Sequence, residues 1–271
     1  MKFKSINPPI IHKMQFQNQT ITITFGDRAE NHVGMQQIGQ LAENGFSIAD
    51  LENAKILFEN RGCNCELISL NDYLPSEAEP AKILIICNGV NSLLSNISKN
   101  ANDLFQELVQ LNWDKKAKMY GRVVNKHARY NLCLDNQAQE PNYEEGRGRI
   151  VAYNNVPLSK YIRDQLGDII NGGNELAGEL NFYKDITKMG IGFHGDAERL
   201  KVIAVRVGES LPMHYQWFYK GSPVGQRAIL PMHHGDMYIM SEKTTGNDWK
   251  KKNKYTLRHA TGCEKFTTIQ E

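Results

Sequence analysis

The sequence predicts an α+β protein in which a small N-terminal α/β unit precedes a C-terminal β-barrel. Residues 1–112 alternate between strand-like and helix-like segments, whereas residues 113–271 form a series of short strand-like segments separated by glycine and proline. Short strands at near-regular spacing are typical of closed or double-layered antiparallel sheets. We therefore expect a double-stranded β-helix, or jelly-roll barrel, over residues 113–271. The role of the unit over residues 1–112 is not indicated.

The N-terminal unit is predicted from segments of different periodicity. Thr20 to Phe25 alternates polar and apolar residues, which is typical of a half-buried strand. From Ile48 to Asn60 the apolar positions have helical spacing. Residues 65–70 and 82–87 are predicted strands, and the second is apolar throughout its centre, as in a strand buried on both faces. An amphipathic stretch at residues 102–111 completes the unit.

The C-terminal part is predicted to hold one helix and many strands. Pro157 and Ser159 introduce a helix over residues 160–170, which Asn171-Gly172-Gly173 ends. The predicted strands of this part are residues 179–183, 201–207, 213–219, 226–230, 236–241, 255–259 and 265–269.

The composition excludes several classes of protein. With 41% hydrophobic and 23% charged residues the chain is typical of a globular protein, and a formal net charge of +2 is too small to indicate nucleic-acid binding by itself. The five cysteines are scattered without a CxxC pair, so we expect a reducing compartment, cytoplasmic or nuclear. No leader-like segment begins the sequence and no apolar run reaches the ~20 residues of a membrane span. We expect neither secretion nor membrane insertion, and oligomeric state is not predicted.

A His-x-Asp motif and a distant histidine form the candidate metal site. His194-Gly195-Asp196 precedes His259 by about sixty residues. Two imidazoles and one carboxylate on one face of a metal are the ligands of non-haem Fe(II) oxygenases. That set leaves three adjacent positions for a chelating co-substrate and O2. The sequence therefore predicts an enzyme.

A second motif lies just before the first. Asn181-Phe182-Tyr183, followed by His194-Gly195-Asp196, is similar to an Asn-x-Tyr strand leading into His-x-Asp. With Tyr120-Gly121-Arg122 ahead of the barrel, residues 119–269 resemble the AlkB family of 2-oxoglutarate- and Fe(II)-dependent dioxygenases. The resemblance implies that His194, Asp196 and His259 bind iron and that Asn181 and Tyr183 bind 2-oxoglutarate.

The sequence departs from that family after the distal histidine. The family has an arginine-rich strand there whose first arginine binds the 2-oxoglutarate carboxylate, but none of the twelve residues after His259 is arginine. In one alignment His259 is the third ligand and Lys265 supplies the cation. In the other, residues 254–258 stand for the arginine-rich strand, Arg258 supplies the cation and the third ligand comes from elsewhere. A second His-x-Asp, His234-Gly235-Asp236, resembles a structural turn of the family.

The resemblance implies oxidation of a methyl group on a nucleobase, as in demethylation and DNA repair. Because a base inside a duplex cannot reach a buried iron, we expect a single-stranded or flipped-base nucleic acid. Two other functions remain open: hydroxylation of a protein side chain or small molecule, and nucleic-acid binding without catalysis. The residues expected to contact nucleic acid are aromatic or cationic: Tyr120, Arg122, Arg129, Tyr130, Lys250, Lys251 and Lys252.

Overall fold

The computed structural model describes residues 16–74 and 78–269 and shows an α+β protein dominated by strands. Its strands are β1 (Thr20–Gly26), β2 (Arg28–Glu30), β3 (Gln37–Gly39), β4 (Cys65–Ser69), β5 (Lys82–Ile86), β6 (Lys116–Met119), β7 (Arg122–Asn125), β8 (Tyr130–Asp135), β9 (Ile150–Ala152), β10 (Ala177–Tyr183), β11 (Gly190–His194), β12 (Val202–Gly208), β13 (Met213–Tyr219), β14 (Ser222–Leu230), β15 (Met237–Met240) and β16 (Thr256–Gly262). Its α-helices are α1 (Ile48–Asn60), α2 (Gly89–Leu94), α3 (Ala101–Val109), α4 (Pro157–Ile169), α5 (Glu242–Thr245) and α6 (Glu264–Thr267).

Two sheets make up most of the molecule. The large sheet has the order β4-β5-β15-β12-β1-β10-β8-β9, and the small sheet has the order β11-β16-β13-β14. Neighbouring strands are antiparallel except for the parallel pair β8 and β9. Two short ribbons, β2-β3 and β6-β7, lie outside these sheets.

The large sheet buries both of its faces, and the alternation along β1 shows how. Ile21, Ile23 and Phe25 belong to the apolar core that the sheet forms with the helices α1 to α4. Thr20, Thr22 and Thr24 are also buried, on the opposite face, because successive side chains of a strand point to opposite sides. The helices therefore cover one face, and the threonines lie on the face toward the small sheet.

A second apolar core joins the two sheets at one end of the space between them. It contains Ala204 and Met240 from the large sheet and Tyr215, Trp217 and Leu257 from the small sheet. The indole nitrogen of Trp217 donates a hydrogen bond to the carbonyl oxygen of Leu70 at 2.8 Å, which satisfies its polar atom inside this core. The other end of the space between the sheets is polar and forms a pocket.

The predicted division of the chain at residue 112 does not separate two sheets. Strands from the first part, β1, β4 and β5, share the large sheet with five strands from the second part. β1 pairs along its length with β10 on one side and β12 on the other. Sequence periodicity identified these strands but carries no information on their long-range partners, which is why the chain looked divisible.

The prediction of a last strand over residues 265–269 is also wrong. Residues 265–269 were expected to be extended, but Glu264–Thr267 forms the short helix α6 beside β11 and β16. β1 lies between β10 and β12 and pairs with both. A strand formed by residues 265–269 therefore could not pair with either of them at that position. Lys265 is consequently on the surface.

We predict that a fragment of residues 113–271 will not fold by itself, because removal of β1 leaves β10 and β12 without their shared partner and exposes a buried apolar face. Circular dichroism during heating should show no cooperative transition for the fragment, whereas the full chain should show one. A cooperative transition in the isolated fragment would contradict this integration.

Candidate metal centre

Three potential metal ligands converge at one end of the small sheet. His194 ends β11 and is paired across the strands with His259 of β16, so their side chains share one face. Their ring centroids are 4.5 Å apart. Asp196 lies two residues beyond the end of β11, and its Oδ1 is 3.6 Å from Nε2 of each histidine. The ligand atoms of the three residues all lie within 4.8 Å of one another.

Local backbone contacts hold this arrangement in place. Gly195, between two of the ligands, passes so close to another loop that an added Cβ would lie 2.0 Å from the carbonyl oxygen of Gly246. The amide of Asp196 donates a hydrogen bond to the carbonyl oxygen of Thr245 at 2.9 Å. A side chain at position 195 would therefore displace the carboxylate from the two imidazoles.

The tautomer of His194 is determined by its hydrogen bond to the backbone. Its Nδ1 is 2.8 Å from the carbonyl oxygen of Gly192, so Nδ1–H donates and Nε2 keeps its lone pair toward Asp196. This is the usual orienting contact of a metal-binding histidine. Burial, reinforced by the neighbouring His259, lowers the pKa of His194 to about 4, so the imidazole is neutral at physiological pH.

A buried arginine compensates the charge of the carboxylate ligand. Arg199 contacts Glu179 through Nη2, approaches Glu198 at 2.5 Å and lies 3.8 Å from Asp196 Oδ2 through Nε. Burial by itself would raise the pKa of Asp196, but Arg199 and His259 outweigh it and hold the pKa well below its ordinary value. Asp196 is therefore an anion, as a metal ligand must be.

The donor set fits a divalent first-row metal ion. Two imidazoles and one carboxylate would provide ligands on one side of such an ion and leave its other coordination positions for further ligands. Nδ1 of His259 is buried and has no hydrogen-bond partner among the described residues, and its Nε2 faces the carboxylate. The three residues expected to bind metal are thus the ones the structure brings together.

A pocket of about 580 Å³ opens over the triad. Its wall on the large sheet carries Asn181 and Tyr183 of β10 and the threonines Thr22 and Thr24 of β1. Its cationic residues are Arg129, Arg199, Arg206 and Lys250. The lining also contains Glu30, Glu179 and Glu198, so the pocket combines the candidate metal ligands with a polar wall that carries charges of both signs.

Asn181 and Tyr183, the residues expected to bind a co-substrate, lie in this wall. The Asn181 side-chain oxygen accepts hydrogen bonds from Arg129 Nε at 2.5 Å and from Asn131. Tyr183 is 3% exposed, and burial raises the pKa of its phenol, which consequently remains a hydrogen-bond donor.

The two expected carboxylate anchors lie elsewhere, which is a correction. Lys265 is exposed on α6 and is not among the residues that line the pocket. Arg258 follows the alternation of β16 and faces away from His259, with Cζ 3.8 Å from the ring centroid of Phe218 and 5.1 Å from that of Trp249. Two buried arginines of the pocket, Arg199 and Arg206, were not among the expected site residues, and Arg206 lies on β12. Its position gave no signal, because an arginine within an apolar strand suggests an ordinary salt bridge.

The second His-x-Asp motif is a structural turn in the folded chain. His234 Nδ1 accepts a hydrogen bond from the amide of Gly208 at 3.0 Å, and the ring stacks near Phe16 at 4.6 Å. Asp236 accepts hydrogen bonds from the amides of Asn88 and His233. These side chains are occupied by backbone partners and do not join the triad.

The structure does not bring the residues expected to contact nucleic acid together in one place. Tyr120, which is 95% exposed, and Arg122 lie at the tip of the β6-β7 hairpin, while Arg129 and Lys250 line the pocket. Tyr130 is half-buried, with its ring 6.4 Å from that of Phe182. The remaining two, Lys251 and Lys252, are exposed beside Lys250.

Comparison with known proteins identifies a relative of the chain but gives no activity for it. No family model matches the chain. The uncharacterized protein R156 of Acanthamoeba polyphaga mimivirus is 49% identical over 252 residues, which cover 92% of this chain and 97% of the viral protein. The chain belongs to the family of this viral protein. The mitochondrial RNA-binding protein RMD9 of Saccharomyces cerevisiae is 27% identical over 121 residues, which cover 45% of this chain and 15% of the yeast protein.

No helix among residues 16–74 and 78–269 is long and apolar enough to cross a lipid bilayer. The five cysteines are free thiols.

We predict that His194→Ala, His259→Ala and Asp196→Asn will each weaken binding of Mn(II) or Co(II) by at least about 100-fold, because each removes one of three ligands. Titration calorimetry measures this directly. The matched control is His127→Ala, since His127 is exposed and outside the pocket. Unchanged metal affinity in the His259 variant would remove that residue from the ligand set.

A second prediction concerns Glu30 at the pocket rim. Burial, with the nearby Glu198 and Glu179, raises the pKa of Glu30 from 4.5 to about 7. The folded state thus binds this proton more tightly than the unfolded state, so the stability associated with Glu30 falls as the pH rises from 4.5 to 7. The loss is at most about 3 kcal/mol.

Glu30→Gln removes this titration, and its stability relative to the original protein should therefore increase over that pH range. Urea denaturation at several pH values measures the difference, and Glu43→Gln, at an exposed position, is the control. A pH-independent difference for Glu30→Gln would show that this carboxyl titrates normally.

Proposed function

We propose that the protein is an Fe(II)- and 2-oxoglutarate-dependent oxygenase that oxidises a methyl group on a nucleobase of single-stranded or base-flipped nucleic acid. The observation that carries the proposal is the convergence of His194, Asp196 and His259 at a pocket whose opposite wall presents Asn181 and Tyr183. A metal site with three protein ligands on one side leaves room for a chelating co-substrate and O2.

The order of the strands supports the finer architecture, a double-stranded β-helix. From β10 to β16 the chain passes between the large and small sheets in the sequence large, small, large, small, small, large, small. A jelly-roll has that alternation and places an eighth strand between the first and third. Here β1 lies at that position, between β10 and β12. The AlkB-like arrangement is therefore proposed with an N-terminal strand in place of a C-terminal one.

Iron, when bound with 2-oxoglutarate, would supply the oxidation of a C–H bond by O2, coupled to decarboxylation of the oxo acid. The protein's own residues bind and orient. His194 and His259 would provide the nitrogen ligands, and Asp196 would provide the anionic one. Arg199 and Glu179 hold that carboxylate in place. The phenol of Tyr183, which lines the pocket, would donate a hydrogen bond to a ligand there.

A nucleic-acid substrate is supported by the β6-β7 hairpin. Residues 115–134 contain six lysines and arginines and no acidic residue. The hairpin turns through Tyr120 and Gly121, both with positive φ, which leaves the tyrosine ring exposed for stacking on a base. The basic segment provides sites for phosphate groups.

The hairpin is connected to the rim of the pocket. Lys126, just after β7, donates a hydrogen bond from Nζ to the side-chain oxygen of Asn31 at 2.6 Å. Asn31 precedes His32 and Val33, which line the pocket. A strand of nucleic acid on the hairpin would thus lie beside the opening. The yeast relative is named for RNA binding, but the match covers 15% of it, so the substrate proposal rests on the hairpin and the rim.

The test begins with the co-substrate reaction. We predict that the protein with Fe(II) and ascorbate releases succinate from 2-oxoglutarate, and that the anaerobic complex shows a metal-to-ligand absorption band. The release should depend on His194 and should survive in His127→Ala. Absence of both signals from metal-loaded protein would contradict the oxygenase and favour a binding protein without catalysis.

The substrate class is tested in the same assay with methylated single-stranded oligonucleotides read by mass spectrometry. Demethylated product is expected, and Tyr120→Ala should lower its rate at limiting oligonucleotide by about tenfold, since a stacked base contributes ~1–3 kcal/mol. Ile229→Ala, at an exposed apolar position outside the hairpin, is the control. Unchanged oligonucleotides beside active decarboxylation would point to a small molecule or a protein side chain.

A further inference from the structure

The wall of the pocket contains two buried polar groups without partners. Thr22 of β1 and Arg206 of β12 face each other across neighbouring strands and are 4% and 2% exposed. Neither Oγ1 of Thr22 nor Nε of Arg206 has a hydrogen-bond partner among the described residues. A buried polar atom without a partner costs about 1–3 kcal/mol, and more if it is charged. Both residues line the pocket, so a ligand there can reach them.

Arg206 also has no acidic partner in the described part of the chain, although its side chain contacts that of Tyr238. Its Nη1 donates to the carbonyl oxygen of Leu211 at 2.7 Å, and it forms no salt bridge with any residue of the described ranges. Arg199, in the same pocket, contacts three carboxylates. An isolated buried guanidinium is costly unless an anion pairs with it. The contrast between these two arginines points to an anionic ligand at Arg206.

The other pocket cations are engaged or less enclosed. Arg129 donates from Nε to Asn181, and Lys250 lies exposed at the pocket opening. Lys265 and Arg258 lie outside the pocket. Of these cations, Arg206 is therefore the deeply buried one that can pair with the carboxylate of a ligand.

The position of Arg206 relative to the metal site suits a ligand with two functional ends. The register aligns Asn181, Thr22 and Arg206 in one row across β10, β1 and β12. Glu179 lies in the next row, two residues and about 7 Å along β10. It contacts Arg199, and Arg199 approaches Asp196. The anion site therefore lies one row from Glu179 on the large sheet, and Glu179 contacts the arginine that approaches Asp196 of the triad.

We propose that Arg206 and Thr22 form the binding site for the distal carboxylate of a dicarboxylic 2-oxo acid whose oxo-acid end is directed to the triad. This rests on the proposed oxygenase function. Tyr183 and Tyr238, which line the same pocket, add phenol donors near the carboxylate. This site takes the role of the cation that was expected after β16. Its two residues are neighbours because β1 pairs with β12.

The test compares two acids of equal chain length, 2-oxoglutarate and 2-oxopentanoate, which ends in a methyl group. With Mn(II)-loaded protein, calorimetry should show that 2-oxoglutarate binds about 100-fold more tightly, as expected for a buried charge pair. Arg206→Met should abolish this preference by weakening 2-oxoglutarate binding, and it should not weaken the binding of 2-oxopentanoate, whose methyl end forms no charge pair. Arg258→Met, the matched control, should retain the preference because Arg258 faces away from the pocket.

Two further variants keep the test decisive if Arg206→Met does not fold. Arg206→Lys keeps the charge but loses the planar fork, and Thr22→Val removes the hydroxyl at similar shape. Each should weaken 2-oxoglutarate binding by about tenfold without affecting 2-oxopentanoate. Unchanged affinity in Arg206→Met, or in both of these variants, overturns the proposed site.

The outcomes also separate this inference from the proposed function. Metal-loaded protein that binds neither acid would contradict the oxygenase and the carboxylate site together. Binding of 2-oxoglutarate that is indifferent to Arg206 would contradict the carboxylate site and leave the oxygenase proposal standing.

Discussion

The pairing of β1 with both β10 and β12 is the constraint on which the rest of the structure depends. It joins the N-terminal strands to the later ones in a single eight-stranded sheet. On one face β1 contributes Ile21, Ile23 and Phe25 to the core under the helices. On the other face it contributes threonines to the pocket. The edges of β10 and β12 at this position are both paired with β1, and the residues after β16 form the short helix α6.

The space between the two sheets is divided by polarity, and this division creates the site. Toward β13 and β14 it is filled by a core that includes Tyr215, Trp217 and Leu230. Toward β1, β10 and β11 the facing residues are polar and charged. Buried charges at this end have to be balanced. Arg199 is balanced by three carboxylates, whereas Arg206 has no acidic partner among the residues that the structure describes.

Much of the fold was predictable because strands and helices have distinct periodicities. The segments expected at β1, β5, β10, β12 and β13 are strands at nearly those bounds, and α1 spans the expected residues. The His-x-Asp motif and the distant His259 were recognisable because their residue types limit the chemistry they can perform. The partners of β1 were not predictable, because pairing between residues about 150–190 positions apart leaves no mark on local periodicity.

The sequence by itself determined which residues can bind a metal, since two imidazoles and a carboxylate are chemically suited to it wherever they meet. It also determined the alternation that places Arg258 and His259 on opposite faces of β16. Only the tertiary structure decided which cation enters the pocket. Lys265 lies outside because its segment forms the surface helix α6. Arg206 lies inside because it is on β12, the neighbour of β1 in the pocket wall. The physical reason is that side-chain chemistry is local, whereas the burial of a charge depends on every element packed around it.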